Sequence, residues 1–341
     1  MMKDKYFFVL LVLFCLFTEL TALDKREIIA PGLYGNELLE FVRDNYTPGY
    51  TLGYDNARDV LYGTIDLQEG NILEGIYSGY TIVLNPVADP SQNAYQQGIN
   101  CEHAWPRSMG ADGYPQEADM HHLYPCKINV NSARGNHPFA EISDIETDIW
   151  YYQEEISYEI PEANIDWYSE KDEDQPELFE PRESKKGDIA RSMFYFFSIY
   201  HDPADESFWE TQKAVLYEWH QDDPTDEAEE ERNQMIASYQ DDCSNPFVTD
   251  STLAGRIWFY EDSDQIVLSI DYEDNQITLN WNNLLGAQYY KVESKTFLNE
   301  EWVLEAEVLE QTTWTDPNLD TAFKIYRVKA IFPDLNQNSG N

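Results

Sequence analysis

The sequence predicts an α+β protein, in which a mixed helical domain is followed by a small all-β sandwich. Three observations support this prediction. The chain has 341 residues, which is enough for two domains. Apolar residues recur at helical spacing in several segments before residue 240, with short strand patterns between them. After about residue 262 the helical spacing gives way to short alternating strands.

The first residues have the pattern of a secretion signal. Lys3 and Lys5 give a charged start, an apolar run follows over 6–17, and Thr21 and Ala22 are small residues suited to cleavage. The run is shorter than the ~20 residues that span a bilayer, so a cleaved signal is favoured over an anchor. We therefore expect a mature chain without a membrane span, which is secreted, periplasmic or held at the cell surface.

Helical patterns dominate the first 260 residues. A helix is predicted in 24–60, where Leu38 and Val42 share one face, and 54–66 reads as a short helix that runs into a strand. Residues 75–84 alternate and are a strand candidate. An acidic, aromatic stretch of loops and short strands then reaches about residue 181. Three further helices are predicted over 187–201, 208–220 and 227–239.

The last part of the chain reads as a β-sandwich. Five short strand patterns are separated by Asp, Asn, Gly and Pro. Aromatic residues at Trp281, Tyr290, Trp302, 312–316 and 326–328 give this region a resemblance to a fibronectin type III module over roughly 70 residues. The residues indicate no site in this module, and its partner stays unknown. A spacer or a general adhesion domain is the simplest interpretation.

The net charge of the chain is −42, from 64 Asp and Glu against 22 Lys and Arg. Such a surface repels nucleic acid at long range, which argues against a tight, non-enzymatic nucleic-acid binder. It argues less strongly against an enzyme that makes local contacts and uses a cation. A saline medium would screen the repulsion.

Residues 100–136 carry the clearest chemistry, with three of the six histidines and two of the four cysteines. A neutral imidazole such as that of His103 can take a proton from water near neutral pH. Glu102 offers a hard oxygen ligand suited to Mg²⁺ or Ca²⁺. In a regular strand these adjacent side chains would point to opposite faces, unless a bulge or a strand end relaxes the alternation.

A short run of asparagines follows, with Asn129, Asn131 and Asn136. An amide oxygen is a weak, neutral ligand that can complete a site built on one carboxylate, and Mg²⁺ takes few protein ligands. At least one of the three is expected to be a cap or turn residue instead.

Three cations stand out in this strongly acidic chain. Arg107, Lys127 and Arg134 lie within 28 residues of one another, which suggests a patch that faces phosphate. Arg134 is favoured within this patch because a guanidinium can grip two phosphate oxygens at once.

The cysteines leave two interpretations open. After signal cleavage Cys101, Cys126 and Cys243 remain, so one disulfide would leave one thiol over, and the sequence does not choose the pair. Alternatively, Cys101 and Cys126 could form a structural zinc site with histidines of the same segment. The candidate histidines are His103, His121 and His122. Their spacing matches no familiar zinc knuckle, and secretion favours disulfides.

The chain resembles the bacterial endonuclease I family of secreted or periplasmic nucleases, within the His-Me finger (ββα-metal) superfamily. The resemblance runs from about residue 30 to 255, and its segments occur in the family's order. They are 53–66 (GYDNARDVLYGTID), 100–108 (NCEHAWPRS), 119–125 (DMHHLYP), 129–136 (NVNSARGN), 186–196 (KGDIARSMFYF), 219–224 (WHQDDP), 231–233 (ERN) and 245–247 (NPF). Cys243 and Ser244 stand where the family tends to carry a basic residue.

The resemblance implies a role for each site residue. His103 would be the general base that activates water, while Glu102 and Asn131 would hold one divalent ion, Mg²⁺ in the first instance with Ca²⁺ or Mn²⁺ as alternatives. Arg134 would add charge stabilisation in catalysis. His122 and Asn136 would support the site.

We therefore predict a signal peptide over 1–22, an endonuclease I-like catalytic domain over 23–260, a fibronectin type III-like sandwich over 261–334 and a tail over 335–341. The expected protein is a monomeric, metal-dependent endonuclease of low sequence specificity. Its expected substrate is DNA, with RNA as a further candidate. Two alternatives stay open, namely an adhesion protein with a relic nuclease domain and a phosphodiesterase that acts on small esters.

Overall fold

The fold is described from a computed structural model. The structure describes residues 28–260, 268–273, 276–284, 286–296, 301–309, 311–317 and 324–331. The predicted signal peptide and tail lie outside these residues. Among the described residues, none of the helices has the length and apolar character needed to cross a bilayer.

Helices and short antiparallel strands alternate along the chain, which confirms the predicted α+β class. The helices are α1 Gly35–Tyr46, α2 Tyr54–Val60, α3 Pro90–Gln96, α4 Ile128–Arg134, α5 Lys186–Ile199, α6 Glu206–Asp222, α7 Glu227–Ala237, α8 Pro246–Thr249 and α9 Leu253–Trp258. The strands before residue 260 are β1 Leu67–Gln68, β2 Ile72–Glu74, β3 Thr81–Val83, β4 Ile99–His103, β5 Leu123–Lys127, β6 Ile149–Tyr152, β7 Glu155–Ser157, β8 Ser169–Asp172 and β9 Leu178–Glu180. Those after it are β10 Leu268–Glu273, β11 Gln276–Trp281, β12 Tyr289–Lys295, β13 Val303–Val308, β14 Thr313–Thr315 and β15 Ile325–Ile331.

The prediction of one strand over 75–84 was wrong. Residues 72–74 and 81–83 form two antiparallel strands, β2 and β3, and the residues between them turn the chain. Gly79 has a φ of +65° in this turn, a backbone conformation that glycine adopts readily. The alternation of apolar residues in the sequence could not distinguish a single strand from two strands joined by a tight turn.

Helix α5 is the centre of the larger core. All of its residues except Asp188 are buried, and it packs against α1, α6 and α8. Its aromatic residues stack on neighbouring rings, with Trp105 parallel to Phe196 at a centroid distance of 4.9 Å. The predicted buried helix over 187–201 is thus confirmed, and its all-round apolar character follows from its central position.

The antiparallel pair of β4 and β5 lies between two apolar clusters. On one face Cys126 packs into the cluster around α5. On the other face Cys101, Ile99 and Leu123 pack with α2 and its neighbours. Helix α4 begins directly after β5, so the chain forms a strand–strand–helix unit at this point. Packing on both faces fixes the unit rigidly in the protein.

A sheet with the order β7-β6-β8-β9 carries an unusual set of buried acids. Glu170 and Glu180 face each other across β8 and β9, and both are buried. Lys186 at the start of α5 is the counter-ion, with Nζ 2.6 Å from Glu180, 2.6 Å from Glu183 and 2.9 Å from Glu141. Burial raises the pKa of Glu170 to about 8 and that of Glu180 to about 7.

The described residues after 267 form two three-stranded antiparallel sheets, ordered β10-β11-β14 and β13-β12-β15. Leu279 and Trp281 from the first sheet share one core with Tyr290 and Val292 from the second. This is the small all-β sandwich that the sequence predicts. The exact domain boundaries stay predictions.

We expect the free energy of unfolding to fall as the pH rises from about 5 to about 8. In the unfolded chain Glu170 loses its proton near pH 4.3, but in the folded protein it keeps the proton up to about pH 8. A group with a raised folded pKa stabilises the fold fully at low pH, and this stability is lost at up to about 1.4 kcal/mol per pH unit as the pH rises through the folded pKa. Urea unfolding at several pH values measures the slope.

Glu170→Gln should flatten this slope and make the protein more stable than wild type at about pH 8, because it removes the buried ionisable group. Glu162→Gln is the matched control, since Glu162 is exposed. Equal slopes in the wild type and in Glu170→Gln would contradict the expectation.

Candidate active site

An open cleft lies at the end of β4, on the rim of the strand–strand–helix unit. Glu102 and His103 both line it, although they are neighbours in a strand. His103 is the last residue of β4, so the alternation of a regular strand need not continue past it. The other lining residues are Tyr54, Cys101, Pro106, Arg107, Ser108, Asn131, Gly135 and Asn136.

Glu102 is a buried carboxylate with fixed partners. Only 2% of the residue is exposed. The Tyr77 hydroxyl donates to Glu102 Oε1 at 2.7 Å, and Arg134 Nε lies 3.4 Å from the same oxygen. Burial raises the pKa of Glu102 to about 7, although Arg134 and Tyr77 oppose this shift. Because both contacts fall on Oε1, the second oxygen is turned away from them.

His103 is held as a neutral imidazole with a defined tautomer. Its Nε2 lies 3.1 Å from the backbone carbonyl oxygen of Glu117. A carbonyl oxygen only accepts, so Nε2 carries the proton and Nδ1 keeps its lone pair. Burial, and after it the neighbouring His122, lowers the pKa of His103 to about 3. The ring is therefore neutral across the neutral pH range, with the Nδ1 lone pair unprotonated.

Asn131 lies on α4, which brings it beside Glu102 in the cleft. Its Nδ2 donates to Asn100 Oδ1 at 3.1 Å and to the carbonyl oxygen of Cys101 at 3.0 Å. These two bonds orient the amide and leave its oxygen for a ligand. A carboxylate and an amide oxygen that line one open cleft are a donor set suited to a hard cation such as Mg²⁺.

Arg134 lies behind Glu102 and does not line the cleft. The residue is fully buried. Its Nη1 donates to the carbonyl oxygen of Gly135 at 2.9 Å, its Nη2 donates to that of Ala104 at 2.8 Å, and its guanidinium lies over the Phe139 ring. This placement differs from the expected patch facing phosphate, because no part of the guanidinium reaches solvent.

The other two cations of the expected patch lie apart. Lys127 Nζ points away from the cleft, to the carbonyl oxygen of Gln153 at 2.7 Å and to Glu154 at 3.1 Å. Arg107 lies on the cleft, with a half-exposed side chain 3.1 Å from Glu117 Oε2. Of the three cations, Arg107 alone has both the position and the exposure to meet a substrate.

The remaining predicted residues lie around this centre. His122 is buried, donates from Nε2 to the carbonyl oxygen of Gln116 at 2.7 Å, and its ring centroid lies 5.5 Å from that of His103. His121 faces the opposite way, towards the carbonyl oxygen of Cys243 at 2.9 Å. Asn136 is exposed on the rim of the cleft. His122 and Asn136 are thus close to the site, and His121 is part of the surrounding fold.

The predicted disulfide is absent, since Cys101, Cys126 and Cys243 are all free thiols. The strand register gives the reason for the first two. Cys101 pairs with Pro125, and Cys126 pairs with Asn100, so the two cysteines sit at adjacent register positions and point to opposite faces. The same geometry does not bring both thiols to one zinc ion.

Three contributors to the site were missed in the sequence. Tyr77 is one of 24 tyrosines and lies in the turn between β2 and β3, so no local pattern marks it as a partner of Glu102. The carbonyl oxygen of Glu117 orients His103, and backbone groups carry no sequence signal. Tyr54, whose ring lies 5.3 Å from that of His103, begins the 54–66 segment and could have been found by asking what that segment contacts.

Comparisons with known proteins agree with the resemblance read from the motifs. The endonuclease I family profile matches residues 36–252. An extracellular ribonuclease of Bacillus subtilis (strain 168) is 31% identical over 176 residues, covering 47% of this chain and 54% of that protein. An extracellular ribonuclease of Bacillus amyloliquefaciens is 30% identical over 175 residues, covering 47% and 53%. The chain thus spans about half the length of the curated relatives it matches.

Among solved structures, the crystal structure of a Fn3-like protein from Clostridium thermocellum is similar to part of the chain. It aligns with 20% of this chain and 72% of that protein at 26% identity, with a TM-score of 0.18.

The burial of Arg134 leads to a stability prediction. Arg134→Met should lower the free energy of unfolding by about 3–5 kcal/mol, because it leaves the buried Glu102 carboxylate without its counter-charge. Arg107→Met is the matched control. Its ion pair is exposed, so we expect a change below about 1 kcal/mol. Urea unfolding of both variants makes the measurement, and equal stabilities would show that Arg134 is not the buried partner of Glu102.

Proposed function

The chain belongs to the endonuclease I family, and we propose on this basis that it is a metal-dependent nuclease that hydrolyses phosphodiester bonds outside the cytoplasm. The observation that carries the proposal is the cleft in which His103, Glu102 and Asn131 lie together. DNA and RNA are both candidate substrates. Both curated relatives are named extracellular ribonucleases, which supports RNA alongside the DNA expected from the motifs.

His103 is the proposed general base. Its Nδ1 lone pair faces away from the Glu117 carbonyl, and the low pKa keeps that lone pair free at neutral pH. A water molecule in the cleft would donate its proton to Nδ1 as its oxygen attacks phosphorus. The bond from Nε2 to the Glu117 carbonyl oxygen would stabilise the imidazolium that forms, because that carbonyl accepts a proton held by the charged ring.

Glu102 and Asn131 are the proposed ligands of one divalent ion, with Mg²⁺ the first candidate and Ca²⁺ or Mn²⁺ the alternatives. Both residues offer oxygen to the same cleft, and a buried carboxylate whose pKa is raised gains from a nearby cation. When bound, such an ion stabilises the charge that develops on the phosphorus centre and on the leaving oxygen. Tyr77 and Arg134 then act as positioning residues, because they fix Oε1 and present the other oxygen.

Two observations support the proposed location of the protein outside the cytoplasm. The charged start and apolar run of the first residues are typical of a secretion signal, and both curated relatives are named extracellular. We propose that the protein is secreted or held at the cell surface, and that it acts as a monomer. The β-sandwich would serve as a spacer or an adhesion module.

The nuclease proposal predicts cleavage that needs both a metal and His103. Purified protein should cut plasmid DNA or a structureless RNA with Mg²⁺ and should stop when EDTA is added. His103→Ala should lower the rate by about 10²–10⁴, the usual contribution of a general base. His201→Ala is the control, because His201 packs on Phe197 at the end of α5 and does not line the cleft. Full activity in His103→Ala would overturn the base assignment, and no cleavage of either polymer would overturn the nuclease.

The metal ligands have a test that does not depend on turnover. Glu102→Gln should abolish or greatly weaken Mn²⁺ binding measured by calorimetry. Tyr77→Phe should weaken it about 10-fold, because it removes a hydrogen bond that orients the ligand. Tyr95→Phe is the matched control, since Tyr95 is 65% exposed. Unchanged Mn²⁺ affinity in Glu102→Gln would show that the ion is held elsewhere.

A further inference from the structure

Two arginines lie on one aromatic ring at the mouth of the cleft. The guanidinium carbon of Arg58 is 4.5 Å from the centroid of the Tyr54 ring, and that of Arg107 is 5.9 Å from it. The same ring lies 5.3 Å from the His103 ring, with an angle of 31° between the planes. One tyrosine therefore connects two positive charges to the proposed general base.

This placement concentrates positive charge in a protein with a net charge of −42. The other two cations of the segment 100–136 do not reach the cleft, because Arg134 is buried against Glu102 and Lys127, whose side chain is 12% exposed, does not line it. A substrate phosphate that enters the cleft therefore meets Arg107 and Arg58 first. Positive charge focused at a cleft can attract a polyanion locally even when the distant surface repels it.

Both arginines have carboxylate partners that a phosphate can displace. Arg58 pairs with Asp55, whose side chain is 88% exposed, and Arg107 pairs with Glu117 through a side chain that is 51% exposed. Exposed ion pairs are worth only about 0–1 kcal/mol and are screened by salt. The Arg58 side chain is itself 28% exposed, and its Nε is buried and without a hydrogen-bond partner among the described residues, so a phosphate would contact the terminal guanidinium nitrogens. A phosphate group can therefore take over these guanidinium groups at little energetic cost.

We propose that Arg58 and Arg107, held on Tyr54, form a clamp for phosphates that flank the scissile bond. The clamp rests on the proposed nuclease function and makes its substrate class more specific. A small phosphodiester has no flanking phosphate, so it cannot engage the clamp. A polynucleotide strand engages it at every cut, whether the sugar is ribose or deoxyribose, because the contacts are to the backbone. Tyr54 is a positioning residue that orients both guanidinium groups by cation–π contact.

The experiment compares a polynucleotide with bis(4-nitrophenyl) phosphate in wild type, Arg58→Ala and Arg107→Ala, with Mg²⁺ present and salt varied. For the polynucleotide, each variant should raise KM about 10-fold and reduce the slope of log(kcat/KM) against log[salt] by about 0.7–1, since one phosphate contact is lost. The loss in kcat/KM should be at least fivefold larger for the polymer than for the small diester. Lys213→Ala is the matched control, because Lys213 on α6 has a side chain 30% exposed and pairs with Glu210 away from the cleft, and it should leave every value unchanged.

A gain-of-binding variant separates the clamp from a purely structural role. Asp55→Asn removes the exposed partner of Arg58 and should lower KM for the polynucleotide two- to fivefold, because the guanidinium is released. Polymer KM and salt slope that stay at wild-type values in both arginine variants would overturn the clamp, as would equal losses on the two substrates. Failure of the nuclease proposal can be told apart from failure of the clamp, since wild type would then cut no polynucleotide in the presence of Mg²⁺.

Discussion

The ion pair between Glu102 and Arg134 is the constraint on which the site depends. Both side chains are buried, and neither charge could be kept there alone, since an unpaired buried charge costs several kcal/mol. Arg134 also donates to the carbonyl oxygen of Ala104, so the pair joins the last residues of α4 to the chain just after β4. Tyr77 adds a bond from a third segment. The carboxylate is thus held by two side chains from different segments of the chain, which suits its proposed role as a metal ligand.

The ion pair between Glu102 and Arg134 also explains why the arginines near the site have different roles. An arginine that neutralises a buried acid cannot also meet a substrate, so the contact with phosphate falls to residues on the cleft mouth. Tyr54 gathers Arg58 and Arg107 there, beside His103. In a chain with 64 acids, the two guanidinium groups of the proposed clamp favour the approach of a polyanion at this cleft. With the acidic surface, the proposed clamp implies that the proposed nuclease activity depends strongly on ionic strength.

Much of the fold could be predicted from local patterns. The apolar helix over 187–201, the alternating strands after 262 and the motif segment over 100–136 all have signals within a few residues of themselves. Where a prediction failed, the missing information was long-range. The hairpin of β2 and β3 has the same alternation as one strand, and the sequence left open which two cysteines would pair, whereas the register puts Cys101 and Cys126 on opposite faces.

The sequence by itself determined the candidate chemistry, because Glu102, His103 and Asn131 occur in a specific motif order and their side chains have suitable donors. Only the tertiary structure decided what each group can do. It placed His103 at a strand end, where it shares the cleft with Glu102, and it turned Nε2 to the Glu117 carbonyl. It also buried Arg134 and left Arg107 exposed. The sequence could not predict this difference in burial, because the two side chains are chemically identical. Burial and partner geometry depend on residues that are far apart in the chain. Together, burial and partner geometry set the pKa and the accessibility of every group in the site.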